Sequence, residues 1–208
     1  MPPRSLLRTR GRGSPCRFAA AASALHIVGA ATNTISWSYI VNSAGDAAFF
    51  QTSASSNTLD RSTAVVVASG ARALRVSNAD RNGAVDSLLL APAGYAVYLD
   101  AGADYTLILR RSATAASSNP ALFITASASN TIQQSWVFNS AGDAALFNAA
   151  SYANKLDRST AAASAAGFRA LRLPGADSHI VVDRRLREKT LVLVEGYTDV
   201  IGCHRHGF

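Results

Sequence analysis

The sequence predicts an all-β chain of two tandem antiparallel β-sandwich repeats, with a basic N-terminal arm and a short βα segment at its C-terminus. Three observations predict this: a duplication at a fixed offset of 97 residues, short alternating apolar runs bounded by turn residues, and a change of pattern past residue 183. The division is an arm at 1–23, a first repeat at 24–111, a linker at 112–120, an incomplete second repeat at 121–183 and a βα segment at 184–208. With 208 residues, 49% apolar and only 16% charged, the chain can bury a real core and reads as neither disordered nor a coiled coil.

The arm accounts for most of the charge. Lys and Arg total 20 against 13 acidic residues, a net charge of +7. Arg4, Arg8, Arg10, Arg12 and Arg17 all precede the first acid, Asp46, so without them 15 basic residues face 13 acidic ones. The body therefore carries no strong field, and any contact with nucleic-acid phosphates is expected from those five arginines. Residues 1–30 also join an Arg-rich start to an alanine-rich stretch, the pattern of a secretory or transit segment as well as of a solvated arm. No apolar run reaches the length of a membrane-spanning helix, so no membrane span is expected. Cys16 and Cys203 lie near opposite ends and do not make a disulfide scaffold.

The repeats follow from residue identities. Asn42 to Ala48, reading NSAGDAA, recurs at Asn139 to Ala145, and Leu59 to Ala64 recurs at Leu156 to Ala161. Residues 24–80 and 121–177 share 31 of 57 positions without a gap. Within each copy, Trp37, Tyr39 and Val41 alternate with Ser36, Ser38 and Asn42, the period of a half-buried strand, and Asn42 to Asp46 supplies turn chemistry. Leu74 and Val76 alternate likewise, and Tyr95–Leu99 and Tyr105–Leu109 flank a further turn. Short strands with turn signals every 8–12 residues suggest an antiparallel sandwich or barrel.

Trp37, the stretch Ala73-Leu74-Arg75-Val76 and the stretch Gly102 to Leu107 resemble the early tryptophan, central strand and late strand of jelly-roll carbohydrate-binding modules from secreted glycanases. The resemblance implies a jelly-roll-like sandwich, a glycan or surface polymer as partner, and a place outside the cell or on a virion surface.

The C-terminal segment reads TLVLVEGYTDVIGCHRHGF over 190–208. Thr190 to Val194 is an apolar strand, and Thr198 or Asp199 can cap a following helix. Through Val194, Glu195, Gly196, Tyr197, Asp199, Val200, His204 and Gly207 it resembles the first strand and helix of the Toprim catalytic fold of bacterial DNA primases. That resemblance implies a metal-dependent role for Glu195 beside two aspartates on later strands, and no later D-x-D follows. Glu195 is thus a catalytic candidate only under an alternative in which the chain is a nucleic-acid-binding, primase-like fragment linked to DNA replication.

No catalytic set, metal site or cofactor is predicted. Cys203 to His206 offers ligand types, but adjacent positions cannot all face one ion. Asp46/Asp143 and Asp60/Asp157 fit turn-forming residues better than a calcium site. For sugar binding the useful groups are exposed aromatic faces. Tyr39 and Trp136 are expected in the core, whereas Trp37, Tyr98 and Tyr152 are the ligand-binding candidates. The function expected is non-catalytic binding or structure, with two copies of a weak site on one chain gaining avidity.

Overall fold

The computed structural model describes residues 17–18, 22–110, 112–148, 150–174 and 178–182. These form twenty-one short strands that fall into three seven-stranded sheets, and the chain visits the sheets in rotation. The first sheet holds β1 (Arg17–Phe18), β4 (Tyr39–Asn42), β7 (Thr63–Val66), β10 (Leu88–Ala91), β13 (Ser112–Ala115), β16 (Trp136–Asn139) and β19 (Thr160–Ala163). The second holds β2 (Leu25–Val28), β5 (Ala48–Gln51), β8 (Arg72–Ser77), β11 (Tyr95–Asp100), β14 (Leu122–Ile124), β17 (Ala145–Phe147) and β20 (Leu171–Arg172). The third holds β3 (Thr34–Ser36), β6 (Thr58–Asp60), β9 (Gly83–Val85), β12 (Leu107–Leu109), β15 (Thr131–Gln133), β18 (Lys155–Asp157) and β21 (Ile180–Val182).

Every ladder between these strands is parallel. The architecture is a β-solenoid of about six turns, and no helix occurs among the described residues. This corrects the antiparallel, jelly-roll-like sandwich expected from sequence. The turn signals are real, but they are corners that pass the chain to the next sheet, not hairpins that return it to its neighbour. A strand's partner therefore lies one coil away: Leu25 pairs with Ala48, Ala48 with Leu74, Leu74 with Val97 and Val97 with Leu122. Those four steps of 23, 26, 23 and 25 residues together make the 97-residue offset, so each sequence repeat is four coils of one continuous stack. The segment 112–120, read as a linker, contains β13, which pairs with β10 on one side and β16 on the other.

Side chains at alternate strand positions point into the stack. On the second sheet Phe50, Val76, Leu99, Ile124 and Phe147 form one inward row, and each is wholly buried. Many of the remaining core positions are alanine, among them Ala48, Ala64, Ala73, Ala91, Ala113 and Ala145. Three sheets closing on one axis leave a narrow interior, which small side chains fill without strain.

Buried polar ladders hold the corners. Asn57 and Asn82 lie on successive coils just before the third sheet: the Asn57 backbone N–H donates to Asn82 Oδ1 at 2.9 Å and its amide to the same oxygen at 3.2 Å. Asn130 repeats this on Asn154 at 2.9 and 3.0 Å. After the third sheet, Ser38 donates its N–H to Ser62 Oγ, Ser62 to Ser87 Oγ, and Ser135 to Ser159 Oγ. Between these ladders the chain bends through single residues at positive φ, including Trp37, Arg61, Asp86, Arg110, Gln134 and Arg158. Each non-glycine residue there costs about 1 kcal/mol, which the neighbouring hydrogen bonds offset.

The NSAGDAA stretch builds the corner from the first sheet to the second. Asn42 is fully buried; its amide donates to the Asp46 and Ala22 carbonyls at 2.8 and 2.6 Å, and its Oδ1 accepts the N–H groups of Ala44 and Gly45. Asn139 does the same for Asp143 and Asn119 at 3.0 and 2.7 Å. Asp46 Oδ1 and Asp143 Oδ1 each accept a backbone N–H from the next coil, that of Arg72 at 2.9 Å and of Arg169 at 2.8 Å. The strong identity here is therefore structural.

Candidate binding surfaces

The outer face of the first sheet carries exposed aromatic rings. Its strands point Ile40 and Asn42, or Val137 and Asn139, inward, which turns Tyr39, Val41, Trp136 and Phe138 outward. Tyr39 is 56% exposed and Trp136 44%. The expectation that both are core is corrected: the apolar half of that alternation faces solvent, and the inward half includes a buried asparagine. Tyr39 and Trp136 share one row, separated by Thr63, Leu88 and Ser112, and four strand spacings place them about 19 Å apart. Trp37, at the corner where the third sheet meets the first, is 72% exposed, and the Arg61 guanidinium lies 5.1 Å from its ring centre.

The outer face of the second sheet carries a different array. His26, Phe49, Arg75, Tyr98 and Phe123 stand in register on five successive coils. The His26 and Phe49 rings stack at 5.0 Å with 3° between planes, Arg75 sits 4.6 Å over Phe49, and Tyr98 meets Phe123 at 5.1 Å. Arg72 lies 4.8 Å over Tyr98 and 5.8 Å over Tyr95, and Arg75 donates to Asp100 at 2.9 Å. Burial raises the Tyr95 hydroxyl above its usual pKa, reinforced by Tyr98 and opposed by Arg72. Because strands one coil apart are about 4.8 Å apart, rings in register touch, His26 and Phe49 face to face and Tyr98 and Phe123 tilted by 56°.

The three sequence candidates do not converge. Trp37 lies at the edge of the first sheet and Tyr98 within the second sheet's ladder. Tyr152, 56% exposed, lies in the corner leading to the third sheet, where it bridges to Ala128. Trp37 is exposed with the Arg61 guanidinium over its ring, whereas Tyr98 is half-buried among Arg72, Tyr95 and Phe123. Sequence reasoning missed Tyr39, Trp136 and, apart from Tyr98, the ladder. The spacing of His26, Phe49, Arg75, Tyr98 and Phe123, at 23, 26, 23 and 25 residues, was the signal that could have found them.

The acidic candidates are accounted for locally. Asp60 contacts Arg61 at 4.0 Å, Asp157 contacts Lys155 and Arg158 at 3.4 Å, and Asp86 holds Arg110 at 3.0 Å. The Asp86 hydrogen bond and charge raise the pKa of Arg110 still further. Among the described residues no group of three or more His, Cys, Asp or Glu side chains is placed to share a metal ion, and no helix is long and apolar enough to cross a membrane. Arg4, Arg8, Arg10, Arg12, Glu195, Cys16, Cys203 and the segment 184–208 lie outside the described residues, as does the side chain of Arg17.

Comparison with protein-family models, curated proteins and solved structures finds no match. No family or homologue match supports the Toprim resemblance, whose residues lie outside the described ones, and a parallel solenoid with no helix among the described residues does not fit tandem jelly-roll modules; both resemblances are withdrawn.

Proposed function

We propose that this chain is a non-catalytic binding and structural protein whose first sheet holds a carbohydrate polymer along its outer face. The observation that carries the reading is the set of Trp37, Tyr39 and Trp136, three exposed rings on one side of the stack, two of them in a single row about 19 Å apart. An exposed ring offers its face to the apolar C–H face of a pyranose. A parallel stack fixes the ring positions before binding, so little ordering cost remains, and rings repeated along one axis suit a polymer better than a single sugar.

The test is affinity electrophoresis through gels containing neutral polysaccharides such as xylan, β-glucan or chitosan-free glycol chitin. Retardation in at least one gel, lost in the combined Trp37→Ala, Tyr39→Ala and Trp136→Ala variant, is the expected result. Unchanged retardation in that variant, or none for the parent chain in any gel, overturns the reading.

A further inference from the structure

A groove of about 470 Å³ opens where the first sheet hands the chain to the second, lined by His26, Asp46, Phe49, Ala71, Arg72 and Arg75 among others. We propose that this groove takes a carboxylate-bearing sugar unit. The ligand's class rests on the carbohydrate reading above; its charge rests on the groove itself.

Two guanidinium groups line the groove, Arg72 beside the Asp46 carboxylate and Arg75 beside that of Asp100, which lies outside the lining. Both are clamped by rings: Arg72 by Tyr98 and Tyr95, Arg75 by Phe49 and Tyr98 at 4.6 and 5.8 Å. A clamped guanidinium keeps its in-plane donor fork pre-set, the geometry that matches a carboxylate with two parallel hydrogen bonds. Arg75 uses one donor on Asp100. Arg72 reaches Asp46 only as an ion pair at 3.7 Å. The Asp46 carboxylate is itself engaged by the Arg72 backbone N–H. Phe49 and Ala71, both largely buried, form the apolar part of the lining, and the volume suits a small ligand.

The second copy provides an internal control. Its equivalents of Arg72, Arg75 and Asp46 are Arg169, Arg172 and Asp143, but Leu146 stands in place of Phe49 and Phe168 in place of Ala71. Arg172 is 47% exposed at its side chain against 26% for Arg75, and pairs with Asp143 at 3.7 Å. In the sequence Val192 and Glu195 stand where the first copy has Tyr95 and Tyr98, so the second copy does not carry the rings of the clamp.

Isothermal titration of the full chain with tetragalacturonate, the matching neutral galactose tetramer, and acetate tests this. The expected result is at least tenfold tighter binding of the acidic tetramer than of the neutral one, weakening as salt is raised. Binding falls at least tenfold in Arg72→Gln, partly in Arg72→Lys, and not in Arg172→Gln, with far-UV circular dichroism unchanged in all three. Equal affinity for acidic and neutral tetramers, full binding in Arg72→Gln, or acetate binding as tightly as the sugar acid overturns the proposal. Tetragalacturonate binding without neutral-polysaccharide retardation supports the groove while removing the aromatic-face reading. Retardation without preference for the acid removes the groove alone.

Discussion

Asn33 donates twice to one oxygen of Asn57 on the next coil: its backbone N–H reaches Asn57 Oδ1 at 3.0 Å and its side-chain amide at 2.8 Å. Asn57 passes the same pattern on to Asn82, so a single residue type at one corner links coil to coil. A carboxamide suits this place because it supplies an acceptor and a donor for the preceding coil and a donor for the next, which no aliphatic side chain can do.

Asn57→Ala is expected to be strongly destabilising. Asn57 is fully buried, and its amide also satisfies the Ala30 carbonyl at 2.9 Å. Truncation removes the hydrogen bonds to the half-buried Asn33 corner and the amide bond to the buried Asn82 Oδ1, and leaves a void at a fully buried position, a loss of about 3 kcal/mol. Urea unfolding followed by circular dichroism checks it; a loss below about 1 kcal/mol would mean that the ladder is not what joins the coils.

Gly94→Ala is expected to cost about 3 kcal/mol, because a Cβ there would run into the Ala71 backbone carbonyl of the preceding coil. Gly70→Ala, at φ +70° but with open space around the new Cβ, should cost about 1 kcal/mol. Thermal unfolding of the two variants side by side gives the comparison, and equal losses would contradict the packed corner at Gly94.

Stability is expected to fall at high pH through Tyr95. Burial raises its hydroxyl pKa in the fold, with Tyr98 adding to the rise and Arg72 opposing it. The folded chain therefore holds the neutral phenol better than the unfolded chain does. That contribution is fully present below the ordinary tyrosine pKa of about 10 and is lost as pH rises through the raised value. Tyr95→Phe removes the dependence: between about pH 9 and about pH 11 the parent should lose more stability than the variant. Equal losses in urea midpoint would refute it.

Strand positions and turn chemistry were legible in the sequence; the pairing of strands was not. The alternation at 36–42 and the Asn-Ser-Ala-Gly-Asp turn look the same whether the next strand comes from a hairpin or from the next coil, since both need a half-buried strand followed by a bend. What distinguishes them is spacing. Asn33, Asn57 and Asn82, then Asn130 and Asn154, with Ser38, Ser62, Ser87, Ser135 and Ser159 five residues after each, recur every 24 or 25 residues. Thr106 and Arg111 break both series in the fourth coil, and the near-identity at 97 residues outshines the weaker period within it. The binding surfaces were hidden for the same reason: His26 and Phe49, or Tyr39 and Trp136, become neighbours or row-mates only after the coil length is known.

Electron–electron distance measurement on spin-labelled chains tests the parallel stack most directly. In a chain with Cys16→Ser and Cys203→Ser, labels replacing Thr34 and Lys155 lie on one outward row of the third sheet, five strand spacings and about 24 Å apart along the backbone. Moving the first label from Thr34 to Thr58, and then to Leu107 two coils further on, should shorten the distance by about 5 Å and then by about 10 Å. Distances that stay constant, or that lengthen along this series, would contradict a continuous solenoid.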